Sequence, residues 1–205
     1  MKFKKAVLIL TIVIICTVAG YFLFVQKYGF ITRVYTNAEH EISSAELVQV
    51  KQLFEKNKLD IHGLQFAWFQ TDDESQPQAI YEIHVAAKEF YTDLPIFFVG
   101  IIHRFNKQSG ILESVSGQRI TNLNISTIPR VSIYEAAKKS GVRSVFLKGE
   151  LGVYSIDQKT SGDLNHDFKY VLAWKITPRN SEFPIAFVDA TTGKVLSYLE
   201  DGIEY

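Results

Sequence analysis

The pattern of apolar and polar positions divides the chain into three regimes. Residues 6–25, AVLILTIVIICTVAGYFLFV, contain no charged side chain. At about 1.5 Å of rise per residue, a helix of that length spans roughly 30 Å, the thickness of a bilayer's hydrocarbon core. Beyond it, apolar residues recur first at helical spacing and then in alternation. That order, helix and then strands, is repeated once more before the chain ends.

In the first repeat, Leu47, Val50 and Phe54 share one helical face, with Val48 and Leu53 on its flanks. Lys51, Glu55 and Lys58 point to water. Ser43 and Glu46 stand at the spacing of a capping box, so a helix is predicted from residue 44 to about 57. Four strands are predicted after it, over residues 61–70, 79–91, 96–105 and 111–116. In the first of these Leu64, Phe66 and Trp68 alternate with Gln65, Ala67 and Phe69. In the second, Tyr81, Ile83, Val85 and Ala87 face away from Glu82, His84, Ala86 and Lys88. The third is apolar on both faces, which predicts burial on both sides. Polar turns at 71–78, 92–95 and 106–110 separate them.

Residues 121–130 are irregular and polar. Ser132 and Glu135 then form a second capping box, and the short helix it opens is predicted to stop at Gly141, where glycine takes up the left-handed conformation. Strands are predicted at 144–147, 151–156, 170–176, 184–189 and 194–199. The fold class is therefore α+β: an N-terminal transmembrane helix followed by two helix-plus-antiparallel-sheet units. The divisions are a tail at 1–5, an anchor at 6–25, a connector and helix at 26–60, a β-meander unit at 61–128 and a second unit at 129–205.

Charge decides the orientation of the anchor. Lys2, Lys4 and Lys5 precede the apolar run, and Lys27 and Arg33 follow it. The positive-inside rule places the short basic end in the cytoplasm. The expectation is a single-pass protein of the cell (inner) membrane, its bulk extracytoplasmic or periplasmic. A cleaved secretory signal competes, since Val18-Ala19-Gly20 offers small residues. Against it, the apolar run continues through Tyr21 to Val25. A lipid-modified Cys16 would want a small residue before it, where Ile15 stands.

The whole chain carries no formal net charge. Setting aside Lys2, Lys4 and Lys5 leaves 19 basic residues against 22 acidic, a balance that argues against a nucleic-acid partner. With 47% hydrophobic residues, the exported part is expected to pack a core and not to be disordered. Cys16 is the one cysteine, so no disulfide can staple that core.

Residues 170–199, YVLAWKITPRNSEFPIAFVDATTGKVLSYL, carry a local logic. Asp189 can accept backbone amides across a turn, and Gly193 can supply the positive φ of a bulged hairpin. Together with the Glu135–Ala137 step of the preceding helix and the strand holding Trp174, the VDATTGKVL hairpin closely resembles the PepSY module. Upstream, Tyr91, Leu94, Pro95, Gly110, Ser116 and Gly117 are similar to the pattern of the fungalysin/thermolysin propeptide module. Asp93 departs from it where glycine is usual, and Phe97-Phe98 where polar or small residues are. The two resemblances cover about residues 60–200. They imply the chaperone-and-inhibitor half of a protease precursor, with Asp189, Gly193, Pro95 and Gly110 as turn-forming residues. A zinc protease domain would follow in that family. Here the one His-Glu pair, His40-Glu41, is followed by Ile42, Ser43 and Ser44, with no second histidine at the His-Glu-x-x-His spacing.

The chain also offers candidates for chemistry of its own. With a regular turn at 92–95, paired residue numbers sum to 187. His84 then lies opposite His103, with Glu82 two residues away, a set able to bind zinc. A one-residue shift of register sends His103 to the other face, leaving a partly buried structural histidine. Asp163, His166 and Asp167 read as a solvated loop. There is no exported cysteine, no Gly-x-Ser-x-Gly elbow and no phosphate loop. The expectation is a binding module and not an enzyme, with no cofactor and no metal. Its partner is expected to be a protein, such as a protease that it inhibits or chaperones. A non-proteolytic cell-envelope scaffold, binding another membrane protein, is the alternative.

Overall fold

In the computed structural model, residues 13–20, 30–37, 39–71, 82–117, 119–120, 123–142, 144, 146–156, 169–179 and 184–199 are described. Residues 13–20 are helical and exposed throughout. Among the described residues no helix is long and apolar enough to cross a membrane. The rest of the predicted anchor, the Lys2–Lys5 cluster, the 72–78 turn, the loop with Asp163, His166 and Asp167, and the tail at 200–205 lie outside the described residues.

The class is α+β, mostly sheet. In chain order the elements are β1 (Phe30–Val34), α1 (Ser44–Lys56), β2 (Leu64–Thr71), β3 (Glu82–Tyr91), β4 (Leu94–Asn106), β5 (Leu112–Ser116), α2 (Ile133–Ser140), β6 (Phe146–Ser155), β7 (Tyr170–Pro178), β8 (Ile185–Asp189) and β9 (Val195–Leu199). Two units are built from them. Unit 1 takes residues 1–34, 130–150 and 174–203, and unit 2 takes 35–129, 151–173 and 204–205.

Unit 2 is an antiparallel meander under a helix. Strands β2, β3, β4 and β5 pair in turn. On α1, both halves of the capping box form: the Glu46 amide donates to Ser43 Oγ, and the Ser43 amide donates to the Glu46 carboxylate at 2.8 Å. The helix lays Val50 and Phe54 on Leu64, Phe66, Val85, Ala87, Ile101 and Phe105, all buried, with Leu47 and Leu53 at the margin. Val48, expected to flank this face, is exposed. Burying one side chain of this kind contributes about 1.5–3 kcal/mol, so this contact face is what holds α1 in place.

Two irregularities redirect the meander. Phe66 faces Ala87 but Trp68 faces Ala86, so Ala67 is an extra residue. The predicted alternation through Trp68 is corrected by this bulge: Trp68 points outward, 44% exposed, and Phe69 turns toward the core. Between β3 and β4, Phe90 faces Pro95 while Lys88 faces Gly100. Four residues, Ile96 to Val99, therefore stand opposite Glu89 alone. Within this excursion Phe98 takes φ +62°, and Ile96 pairs in parallel with Val153 of β6.

Unit 1 holds β1, residues 146–150 of β6, residues 174–178 of β7, β8 and β9, with α2 packed against β8 and β1; the remaining residues of β6 and β7 belong to unit 2. The stretch at 26–60 predicted as connector and helix also contains β1, which runs parallel to β6 with Phe30 beside Phe146. The two strands expected at 144–147 and 151–156 are one continuous strand. A short parallel strand in a polar-flanked stretch gives no alternation to read, because its partner lies more than a hundred residues away. The α2 capping box forms as predicted, and Gly141 closes the helix at φ 68°.

Candidate functional site

The two histidines nominated for metal sit on opposite faces of the unit 2 sheet. Past the β4 excursion His84 faces Arg104 and Val85 faces His103, so paired numbers sum to 188 and not 187. The regular-turn expectation is corrected by this one-residue difference, which turns His103 inward. His84 stays outside, its Nε2 2.7 Å from Glu82 Oε2 and its ring centroid 6.3 Å from that of Trp68. His103 is buried, with its ring centroid 4.7 Å from Phe54 and 6.3 Å from Phe105. Its Nδ1 is buried without a hydrogen-bond partner. Burial lowers its pKa, the Arg119 charge lowers it further, and the Val85 backbone pulls it up. Among the described residues no group of three His, Cys, Asp or Glu side chains converges as metal ligands would.

A buried carboxylate lies deeper than either. Glu89 continues the inward parity of Val85 and Ala87 and is 3% exposed. Its Oε1 accepts from Arg119 Nε at 2.8 Å, and its carboxylate accepts the Ile120 amide. Arg119 also donates to the backbone oxygens of Asp60 and His62, pinning the segment after β5 to the entry of β2. Burial raises the Glu89 pKa, with the Ile120 amide and Arg119 opposing. Glu89 in turn helps burial to raise the Tyr170 hydroxyl. Sequence reading missed this cluster. The signal was available: a carboxylate on the apolar face of a strand requires a cation or a donor.

Of the other nominated residues, Gly110, Asp189 and Gly193 build turns, whereas Pro95, expected in a turn, lies in strand β4 opposite Phe90 because the chain reverses already at 92–93. Gly110, at φ +62°, closes the β4–β5 turn, its amide donating to Asn106 O at 2.7 Å. Asn57 at the end of α1 ties the helix to this turn, donating to Leu53 O and Gly110 O and accepting from the Leu112 amide. Pro95 opens the β4 excursion. In unit 1, Asp189 Oδ1 accepts the amides of Thr191 and Thr192 at 2.7 Å each, and the Gly193 amide returns to Asp189 O at 2.8 Å. Gly193 holds φ +74°.

This hairpin is bound to the helix beside it. Lys139 of α2 donates to Thr192 O, and Tyr198 of β9 donates its hydroxyl to Ser140 O at 2.9 Å. Trp174 Nε1 donates to Val131 O, just before the α2 cap, and the Arg33 guanidinium stands 5.4 Å from the Trp174 ring centroid. The arrangement fixes the relative position of a helix and a hairpin without bringing a nucleophile and a base together. Such a unit can offer shape and polarity to a partner.

No family model and no curated protein matches the chain. Among solved structures it is similar to the C-terminal domain of YpeB from Bacillus megaterium. The sequence identity is 15% and the TM-score 0.38, over 80% of this chain and 68% of that one.

Proposed function

We propose that this chain is a membrane-anchored, extracytoplasmic PepSY-type binding module that modulates a protease, as an inhibitor or a chaperone. The observation that carries the reading is the helix-and-hairpin clasp of unit 1. The residues that give the PepSY resemblance, Glu135–Ala137 and Val188–Leu196, are those that build the α2 cap and the Asp189 turn. The resemblance is therefore one of structure-forming positions and not of scattered identities. The fungalysin/thermolysin propeptide pattern is the finer part of the reading. It rests on the unit 2 sequence alone.

On this reading residues 6–25 span the inner membrane with the amino terminus in the cytoplasm. The module works by binding, which stabilises a partner's folded state or occludes its cleft. The test uses the full chain in nanodiscs with a thermolysin-type metalloprotease refolded without its own propeptide. Raised refolding yield, or saturable slowing of peptide cleavage, is expected. No effect on either quantity would remove the protease from the proposal.

A further inference from the structure

We propose that the rim of unit 1 where β1 and β6 begin rests on the anionic headgroup layer of the membrane that holds residues 6–25. The proposal depends on the anchored reading above and extends it. Phe30 and Phe146 are register partners in parallel strands, their rings stacked at 5.4 Å. Phe146 is 46% exposed. The chain leaving β7 reaches the same rim: the Arg179 amide donates to Phe146 O at 3.0 Å, and its guanidinium lies 5.6 Å from the Phe146 ring centroid. Lys148, two positions along β6 and beside Thr32, is exposed. An exposed ring with cations at its margin offers an apolar body and a charged periphery. That combination suits the boundary between acyl chains and anionic headgroups.

Chain length limits what this rim can meet. Val25 ends the apolar run and Phe30 begins β1, so whatever their conformation the intervening residues span at most about 18 Å. The headgroup layer itself takes up about 5–8 Å on each side of the core. The rim therefore lies at most about 10–13 Å beyond the headgroups, and any slack brings it into contact. A second observation concerns residues 13–20. They are helical, and Val13, Ile14, Ile15 and Val18 are each more than half exposed. At 100° per residue those four spread over more than half the circumference of the helix. An apolar surface that broad is what a lipid environment covers.

The experiment uses the full chain in vesicles of phosphatidylethanolamine with 30% phosphatidylglycerol. An environment-sensitive fluorophore is placed at Thr32→Cys in a Cys16→Ser background, and at native Cys16 in a second sample. Lipids with nitroxide on the headgroup quench the first label, and lipids with nitroxide along the acyl chain quench the second. We expect both to be quenched. Arg179→Glu is expected to lower quenching at position 32 severalfold, since each basic group near an anionic surface is worth about a fivefold change in partition. Phosphatidylcholine vesicles should lower it similarly. If Cys16 is quenched and position 32 is not, or if position 32 ignores both Arg179→Glu and lipid charge, the rim does not rest on headgroups and the anchor stands. An unquenched Cys16 removes the anchor and this inference together.

Discussion

The imidazole of His103 packs at a tilt against Phe54, with ring centroids 4.7 Å apart and an interplanar angle of 58°, and its Nδ1 has no hydrogen-bond partner. A neutral ring tolerates that position, whereas an imidazolium does not. The folded-state pKa lies below the ordinary 6.5 because of burial and the Arg119 charge. As pH falls below about 6.5, the unfolded chain takes up a proton that the folded chain does not, so stability falls toward the folded-state pKa. The urea midpoint should drop between pH 7.5 and 5.5, and His103→Leu should flatten the curve. His40, lowered by burial and by Lys51, adds to the same window. An unchanged pH slope in His103→Leu would count against this account.

Arg119 is the cation that makes a buried Glu89 tolerable. Arg119→Met leaves that carboxylate uncompensated and should cost about 3 kcal/mol at pH 7. Because burial raises the Glu89 pKa, acid neutralises the group in the folded state first. The penalty should therefore shrink as pH falls toward 5. Glu89→Gln in the Arg119→Met background should recover much of the loss at pH 7. Chemical denaturation of the three variants at two pH values decides it.

The bulge at Ala67 separates two aromatic residues that the sequence places in one row. Phe66 is fully buried against Phe54, while Trp68 is 44% exposed beside His84. Phe66→Ala should cost about 3–5 kcal/mol. Trp68→Ser should cost under about 1 kcal/mol. Comparable losses at the two positions, measured by thermal unfolding, would mean that β2 alternates regularly after all.

In the β8–β9 hairpin, Asp189→Ala removes the oxygen that accepts two charge-assisted hydrogen bonds and should cost about 1–2 kcal/mol. Gly193→Ala places a side chain at φ +74°, with its Cβ against the Lys139 side chain. It should cost at least about 1 kcal/mol. Hydrogen exchange at Thr191 and Thr192 should quicken in the first variant, and a hairpin that exchanges no faster would argue that the carboxylate is dispensable.

Local signals carried most of the element order. Ser43 with Glu46, Ser132 with Glu135, and Gly141 each act within one helical turn, so their spacing is visible in the string. The core face of α1 was legible for the same reason. What escaped depended on distant partners. β1 exists because β6 offers it an edge, and Phe30 carries no mark of Phe146. The excursion at Ile96–Val99 exists because Ile96 joins Val153, and it is what separated His84 from His103. Glu89 was readable as an anomaly, but Arg119 could not be named as its answer without the fold.

Unit 1 gathers its residues from three separated stretches and unit 2 from three more. A ribosome must deliver β6 and β7 before either assembly has all its strands. Neither can be excised from the gene as one contiguous fragment. Dissection has to proceed by splicing the stretches with designed connectors, and simple truncations should yield aggregating products.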